Sequence, residues 1–332
     1  MSQSIMAAEA AQTPSVIAAQ LEANQSVCRE LVASLTEFDP RMIMIIGRGS
    51  SDHAGVFAKY LFEVEMGLPV CAAAPSVSGV YNQQLNMSKS LAIVISQSGR
   101  SPDILKQAES AKAGGAFTVA LVNDEASPLA ALADAVLPIR AGEEKAVAAT
   151  KSYLATLSAL VQLCAIWSNN RSLLEALTLL PEGLKSAIDS PRQLRTEALE
   201  GIKNAVVLGR GFGYAVGREV ALKLKEVLSI HAEAFSSAEF IHGPVTLVER
   251  KLHIIDLQVE DESWPYHKDI IADVESRGAS LQAIYSGDKS LNRRLQPLLV
   301  LQRFYLDIEA IAVELGYDPD QPPGLNKVTK TV

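Results

Sequence analysis

Two stretches of the chain read as copies of one another: MIIGRGSSDHAGVFAKYLFEV from Met44 to Val64, and VVLGRGFGYAVGREVALKLKEV from Val206 to Val227. Gly47-Arg48-Gly49 stands against Gly209-Arg210-Gly211, and Gly55 against Gly217, at one constant offset. Each copy opens with a short apolar run, breaks at glycines and continues with apolar residues at three- and four-residue spacing. That is the pattern of a buried strand, a tight turn and a helix. Further on, LAIVISQSG from Leu91 matches LHIIDLQVE from Leu252, and AGGAFTVALV from Ala113 resembles SRGASLQAIY from Ser276. The halves of the chain are therefore two copies of one unit.

Strands are expected at Met42–Ile46, Leu91–Ile95 and Phe117–Val122, and again at Ala205–Leu208, His253–Leu257 and Leu281–Tyr285. Their apolar runs are too continuous for a sheet with one wet face, so they read as buried parallel strands. Helical spacing falls between them, over Asp52–Met66, Pro102–Ala113, Val216–Ser229 and Ile270–Arg277. Alternating strand and helix gives right-handed crossovers and an α/β class: two tandem parallel-sheet, three-layer sandwiches. A last helix is expected from about Arg303 to Leu315, followed by a tail too rich in proline to continue it.

Composition narrows the function. The 332 residues are 48% apolar and 20% charged, which excludes disorder and small disulfide scaffolds. The net charge of −8 disfavours a non-specific grip on nucleic acid or an anionic membrane, yet leaves room for a local anion site. Cys28, Cys71 and Cys164 lack zinc or disulfide spacing, and the five histidines show no ligand pattern, so neither metal nor cofactor is expected. The first residues carry no secretory signal pattern, and the greasiest run, Leu154–Trp167, is shorter than the ~20 residues of a membrane span. The expected compartment is reducing and cytoplasmic.

Ligands of open α/β sheets sit at the carboxyl ends of the strands. After LAIVI comes Ser96-Gln97-Ser98-Gly99-Arg100-Ser101-Pro102-Asp103. It reads either as a well-capped helix start, with Ser101 as cap, or as a phosphate cradle of hydroxyls and free N–H groups at a helix N-terminus. The aligned residues of the second copy, Leu257-Gln258-Val259-Glu260-Asp261, are acidic and hydroxyl-free, so only the first copy should hold phosphate. Gly47-Arg48-Gly49-Ser50-Ser51-Asp52 fails the dinucleotide fingerprint and the Walker pattern; it is a tight turn, or a turn that adds Ser51 to the cradle. Glu219, Lys223, Lys225 and Glu226 share one predicted helix, which by itself fits a solvated face as well as a site. His242 sits beside a Gly-Pro turn and Lys327 in the irregular tail, positions where surface residues are ordinary.

Six strings taken in order resemble the sugar-isomerase (SIS) family, in particular the isomerase part of its glucosamine-6-phosphate-forming members. They are Ser96-Gln97-Ser98-Gly99, Val147-Ala148-Ala149-Thr150-Lys151, Ala221 to Glu226, His231-Ala232-Glu233-Ala234, Glu239 to Pro244, and Asp320-Gln321-Pro322 with Lys327. The resemblance implies flavodoxin-like SIS domains, a phosphorylated sugar or amino-sugar substrate, and a homodimer with active sites near its interface. It implies phosphate ligation by Ser51, Ser96, Gln97, Ser98 and Ser101, with Ser50, the Val147 backbone and Lys223 facing the sugar. Glu226 would move a proton between C1 and C2, His242 would open the ring from the partner subunit, and Lys327 could form a Schiff base with the open ketose.

The implied organisation is a helical segment over 1–38, a phosphate-binding domain over 39–168, a linker helix over 169–195, a catalytic domain over 196–317 and a closing tail over 318–332. Ala149 and Arg100 depart from the family strings. Residues before 40 are too few for the glutaminase domain that supplies ammonia in the synthases, so the expected chemistry runs toward nitrogen release: glucosamine 6-phosphate to fructose 6-phosphate and ammonia. A fructosamine-6-phosphate deglycase, a plain ketose–aldose phosphate isomerase and a sugar-phosphate-binding regulator are the alternatives.

Overall fold

The computed structural model describes residues 3 to 325 and residue 327, Arg250 by its backbone alone. Met1, Ser2, Asn326 and residues 328–332, the ends of the expected helical segment and tail, lie outside the described residues. The chain forms two compact units. The first comprises Ser15–Glu144 and Lys151–Thr178; the second takes the residues up to Pro14, then Lys145–Thr150 and Leu179–Lys327.

In chain order the elements are α1 (Ile5–Ala11), α2 (Thr13–Phe38), β1 (Met42–Ile46), α3 (Ser50–Met66), β2 (Val70–Ala72), α4 (Pro75–Gly79), β3 (Ser90–Ser96), α5 (Pro102–Ala113), β4 (Phe117–Val122), α6 (Pro128–Leu132), β5 (Ala135–Pro138), α7 (Lys151–Trp167) and α8 (Arg171–Asp189). They continue with β6 (Asn204–Gly209), α9 (Phe212–Leu228), β7 (His231–Ser236), α10 (Ser237–Phe240), β8 (His253–Gln258), α11 (Trp264–Ser276), β9 (Ser280–Tyr285) and α12 (Gln296–Glu314).

The first unit holds a parallel sheet of order β2-β1-β3-β4-β5, the flavodoxin-like order. Central β3 is buried along its whole length, which is why its sequence does not alternate. Ala92 and Val94 of β3 face Ile104, Ala108 and Ala111 of α5 on one side of the sheet. On the other side α3 packs against β1 and β3, so closely that a Cβ on Gly55 would come within 2.7 Å of Ile45. The second unit repeats the plan with a four-stranded parallel sheet, β7-β6-β8-β9. Two parallel-sheet α/β sandwiches are thus present, as the duplication predicts. The strands absent from the sequence reading, β2, β5 and β7, all lie at sheet edges. Short or half-exposed, they lack the apolar continuity that marks the central ones. The three cysteines are free thiols. Among the described residues no helix is long and apolar enough to cross a membrane.

Candidate functional site

In the first unit the candidate phosphate residues gather on two neighbouring loops, because β1 and β3 are adjacent in the sheet. Ser50 and Ser51 form the first turn of α3, entered through Gly49 at φ +54. Ser96 ends β3, and Gln97, Ser98 and Ser101 lead into α5. Arg48 clamps the two loops, its Nε donating to Asp103 Oδ2 at 2.9 Å. The sequence reading missed this pair, since residues so far apart in the chain carry no pairing signal. Ser96 is buried and its Oγ accepts the Gly99 N–H at 3.1 Å, which fixes the turn. Ser101 occupies the N-cap position of α5, with Pro102 following as expected, but its hydroxyl makes no capping bond. Among the described residues the side chains of Ser51, Gln97, Ser98 and Ser101 have no intramolecular hydrogen-bond partner. Hydroxyls and an amide left unpaired at a helix start suit an anion with several acceptor oxygens.

Gly99 turns this loop at φ +62, and a Cβ there would come within 2.3 Å of Ser127 Oγ. Ser127 cannot easily yield, being buried and engaged in capping α6 through the Ala130 N–H. Gly99→Ala is therefore expected to cost about 1–3 kcal/mol through the left-handed backbone, before any clash is counted. Denaturant melts of the two proteins measure it, and an unchanged midpoint would show that the loop relaxes freely.

In the second unit the matching place is already filled. Asp261 Oδ2 accepts the Phe212 N–H at 2.9 Å at the start of α9, and Asp261 Oδ1 accepts Ser263 N–H at 2.8 Å and Ser263 Oγ–H at 2.5 Å. A carboxylate of the chain itself sits where an anion would be drawn to the helix end.

The second unit carries the acid–base candidates. Helix α9 is apolar on the face toward β6 and β7, yet Glu219 and Lys223 are wholly buried in it. Lys223 Nζ donates to Glu226 Oε2 at 2.6 Å and lies 3.2 Å from Glu219 Oε1. The three residues are spaced four and three apart, so one helical face presents them together. Burial alone would lower the Lys223 pKa, but the flanking carboxylates of Glu219 and Glu226 outweigh it and hold the group above its ordinary value. Glu226 keeps a fifth of its side chain exposed while Glu219 keeps none. Lys223 thus fixes the one carboxylate of the three-residue set that is open to solvent. The i, i+4, i+7 spacing was readable in the sequence; which member is buried was not.

Val147 and Lys327 are brought together. Lys327 Nζ donates to Ala146 O at 2.5 Å, and Val147 N–H donates to Asp320 O at 3.1 Å. Asp320 in turn accepts the Ile5 and Met6 N–H groups at 2.9 and 2.7 Å, and Glu9 accepts the Lys145 and Ala146 N–H groups. The tail is thereby pinned to the start of α1 and to the segment holding Val147. His242 lies exposed on the turn after α10, and among the described residues its side chain makes no hydrogen bond. Among the described residues no group of three or more His, Cys, Asp or Glu is placed to hold a metal ion.

The SIS-domain profile matches residues 38–166 and 198–294. The glutamine–fructose-6-phosphate aminotransferase (isomerizing) of Aquifex aeolicus is 32% identical over 309 residues, 87% of this chain and 52% of its own. The chain spans about half the length of the curated relatives it matches. A solved structure from Silicibacter pomeroyi DSS-3, assigned as a phosphosugar isomerase, is 34% identical with a TM-score of 0.88, covering 96% of this chain and 100% of that one. The C-terminal domain of glucosamine-fructose-6-phosphate aminotransferase from Francisella tularensis shares the fold at 22% identity and TM-score 0.83, over 97% and 99% of the two chains. Glucosamine-6-phosphate deaminase from Thermotoga maritima does so at 23% identity and TM-score 0.72, over 96% and 100%.

Proposed function

Since the chain belongs to the SIS-domain family, as a protein of phosphosugar-isomerase type, we propose that it is an amino-sugar-phosphate deaminase that converts glucosamine 6-phosphate and water to fructose 6-phosphate and ammonia. The observation that carries the reading is the buried Lys223 holding Glu226, a group built for proton transfer rather than for binding alone. The curated relatives, by name, handle fructose 6-phosphate and an amino group, which supports the choice of sugar.

In this reading the hydroxyls of Ser51, Ser98 and Ser101, with Gln97 and the loop N–H groups around Ser96, receive the phosphate. His242 exchanges the ring-opening proton, giving the open aldehyde. Glu226 removes the proton from C2 and returns it to C1, and the proton leaving the C2 nitrogen passes to the C1 oxygen, turning the C1 aldehyde into an alcohol and the C2 amine into an imine. Water adds to the imine carbon, ammonia leaves, and the C2 ketone remains. Ser50, Lys223 and the Val147 backbone face the sugar, and Lys327, beside Val147 in the tail, takes the Schiff-base role with the open ketose.

The decisive measurement is ammonia and fructose 6-phosphate release across a panel of sugar phosphates. Stoichiometric ammonia from glucosamine 6-phosphate supports the proposal. Free amino acid from a fructosamine 6-phosphate would make the protein a deglycase, ketose–aldose interconversion without ammonia an isomerase, and binding without turnover a regulator.

The exposed His242 is assigned to the partner subunit's site in a homodimer. Mixing inactive Glu226→Gln chains with inactive His242→Ala chains is then expected to restore part of the turnover, because one site of each mixed dimer receives both groups. No recovery on mixing would place His242 in the site of its own chain.

A further inference from the structure

The amino ends of the second sheet, opposite the ends where ligands of such sheets bind, carry a cavity of about 660 Å³. That volume lies within the roughly 300–1,000 Å³ of small-molecule sites. Asn204 and His231 open β6 and β7 in register, and His253 opens β8 beside Ala205. The strand order β7-β6-β8 sorts the charges across the cavity. Glu233 stands on β7, Lys203 directly before β6, Lys251 two residues before β8 and His253 at its start. The outer strands of this trio are about 10 Å apart, two steps of about 4.8 Å. Glu197 and Glu200, on the turn leading to β6, add carboxylates to the rim.

Among the described residues none of these charged side chains forms a hydrogen bond or ion pair within the chain. An exposed charge left unpaired is ordinary, because surface pairs contribute little. Charges of both signs around one concave volume with an apolar lining from Ile202, Leu247 and Leu252 suit a ligand that carries both signs itself. We infer that this cavity binds a small zwitterion, its ammonium toward Glu200 and Glu233 and its phosphate or carboxylate toward Lys203 and Lys251. Amino-sugar phosphates and α-amino acids share that chemistry. The inference stands apart from the proposed reaction, which uses none of these residues.

The test titrates the full chain calorimetrically in the Glu226→Gln background, where the lowered turnover contributes little heat, with glucosamine 6-phosphate in one arm and glutamate in the other. In at least one arm the expected result is a saturable event that substitutions in the cavity alter, over and above the binding of glucosamine 6-phosphate at the proposed active site, and the arm that shows it identifies the source of the ligand. The double variant Lys203→Gln with Lys251→Gln should weaken it at least about tenfold. Glu200→Gln with Glu233→Gln should do the same, yet leave binding of N-acetylglucosamine 6-phosphate, which lacks the ammonium, unchanged. All four residues are exposed, so thermal unfolding of the variants should match the parent. Wild-type turnover carrying either pair of changes should also be unaltered. The inference falls if no binding event responds to either pair. It falls equally if the substitutions change the oligomeric state, since the cavity would then be a contact between copies of the chain.

Discussion

Glu226→Gln is expected to lower turnover by about 10²- to 10⁴-fold, the usual share of a positioned general base, while phosphosugar affinity stays within a few-fold. The amide keeps the shape of the carboxylate and can still accept the bond from Lys223 Nζ, so the helix face is undisturbed. It cannot carry a proton between C2 and C1. Pre-steady-state mixing with binding measured separately would divide the two effects. If turnover survived at the parent rate, the base would lie elsewhere and the reading of the α9 triad would be wrong.

Lys223→Met is expected to cost about 3–5 kcal/mol of stability, because it removes the buried cation that lies 3.2 Å from the wholly buried Glu219 carboxylate and 2.6 Å from Glu226. Pairing it with Glu219→Gln should recover most of the loss, since the wholly buried carboxylate is then removed together with the cation beside it. The rescue is the informative outcome. A destabilisation that Glu219→Gln does not relieve would come from lost packing, and the ion pair would be incidental. The pH dependence has a definite sign. A lysine whose pKa is raised by folding contributes fully below its ordinary 10.5 and loses that contribution as pH climbs through the higher folded value. Urea midpoints compared between parent and double variant should therefore differ little in their slope across neutral pH and diverge only in the alkaline range.

The central strands and most helices were legible because burial on both faces writes itself as unbroken apolar runs and three-to-four spacing. Met42–Ile46 and Phe117–Val122 form strands over the very residues expected. Helix α9 begins at Phe212, earlier than the Val216 expected, since a phenylalanine between glycines gives no helical period to read. Edge strand β7 escaped because His231 and Glu233 break the apolar pattern. For the candidate site, the residue types and loops were readable, but their connections were not. Arg48 meeting Asp103, and Asp320 gripping the first turn of α1, join positions that no local pattern links. Asp261 shows a further limit: its acidity suggested that the second copy had lost phosphate binding, but not that the side chain itself had taken the vacated place.

That substitution makes the two copies unequal in a thermodynamic sense. The second copy carries its counter-ion covalently, at fixed stoichiometry, and its helix end is neutralised from the moment it folds. In the proposed reading the corresponding loop of the first copy draws its anion from solution. A phosphate ester bound there would stabilise the first unit by RT ln(1 + [L]/Kd) and contribute nothing of the kind to the second. Only one half of the duplicated chain would then be coupled to metabolite concentration; the other serves as a permanently loaded reference built from the same plan.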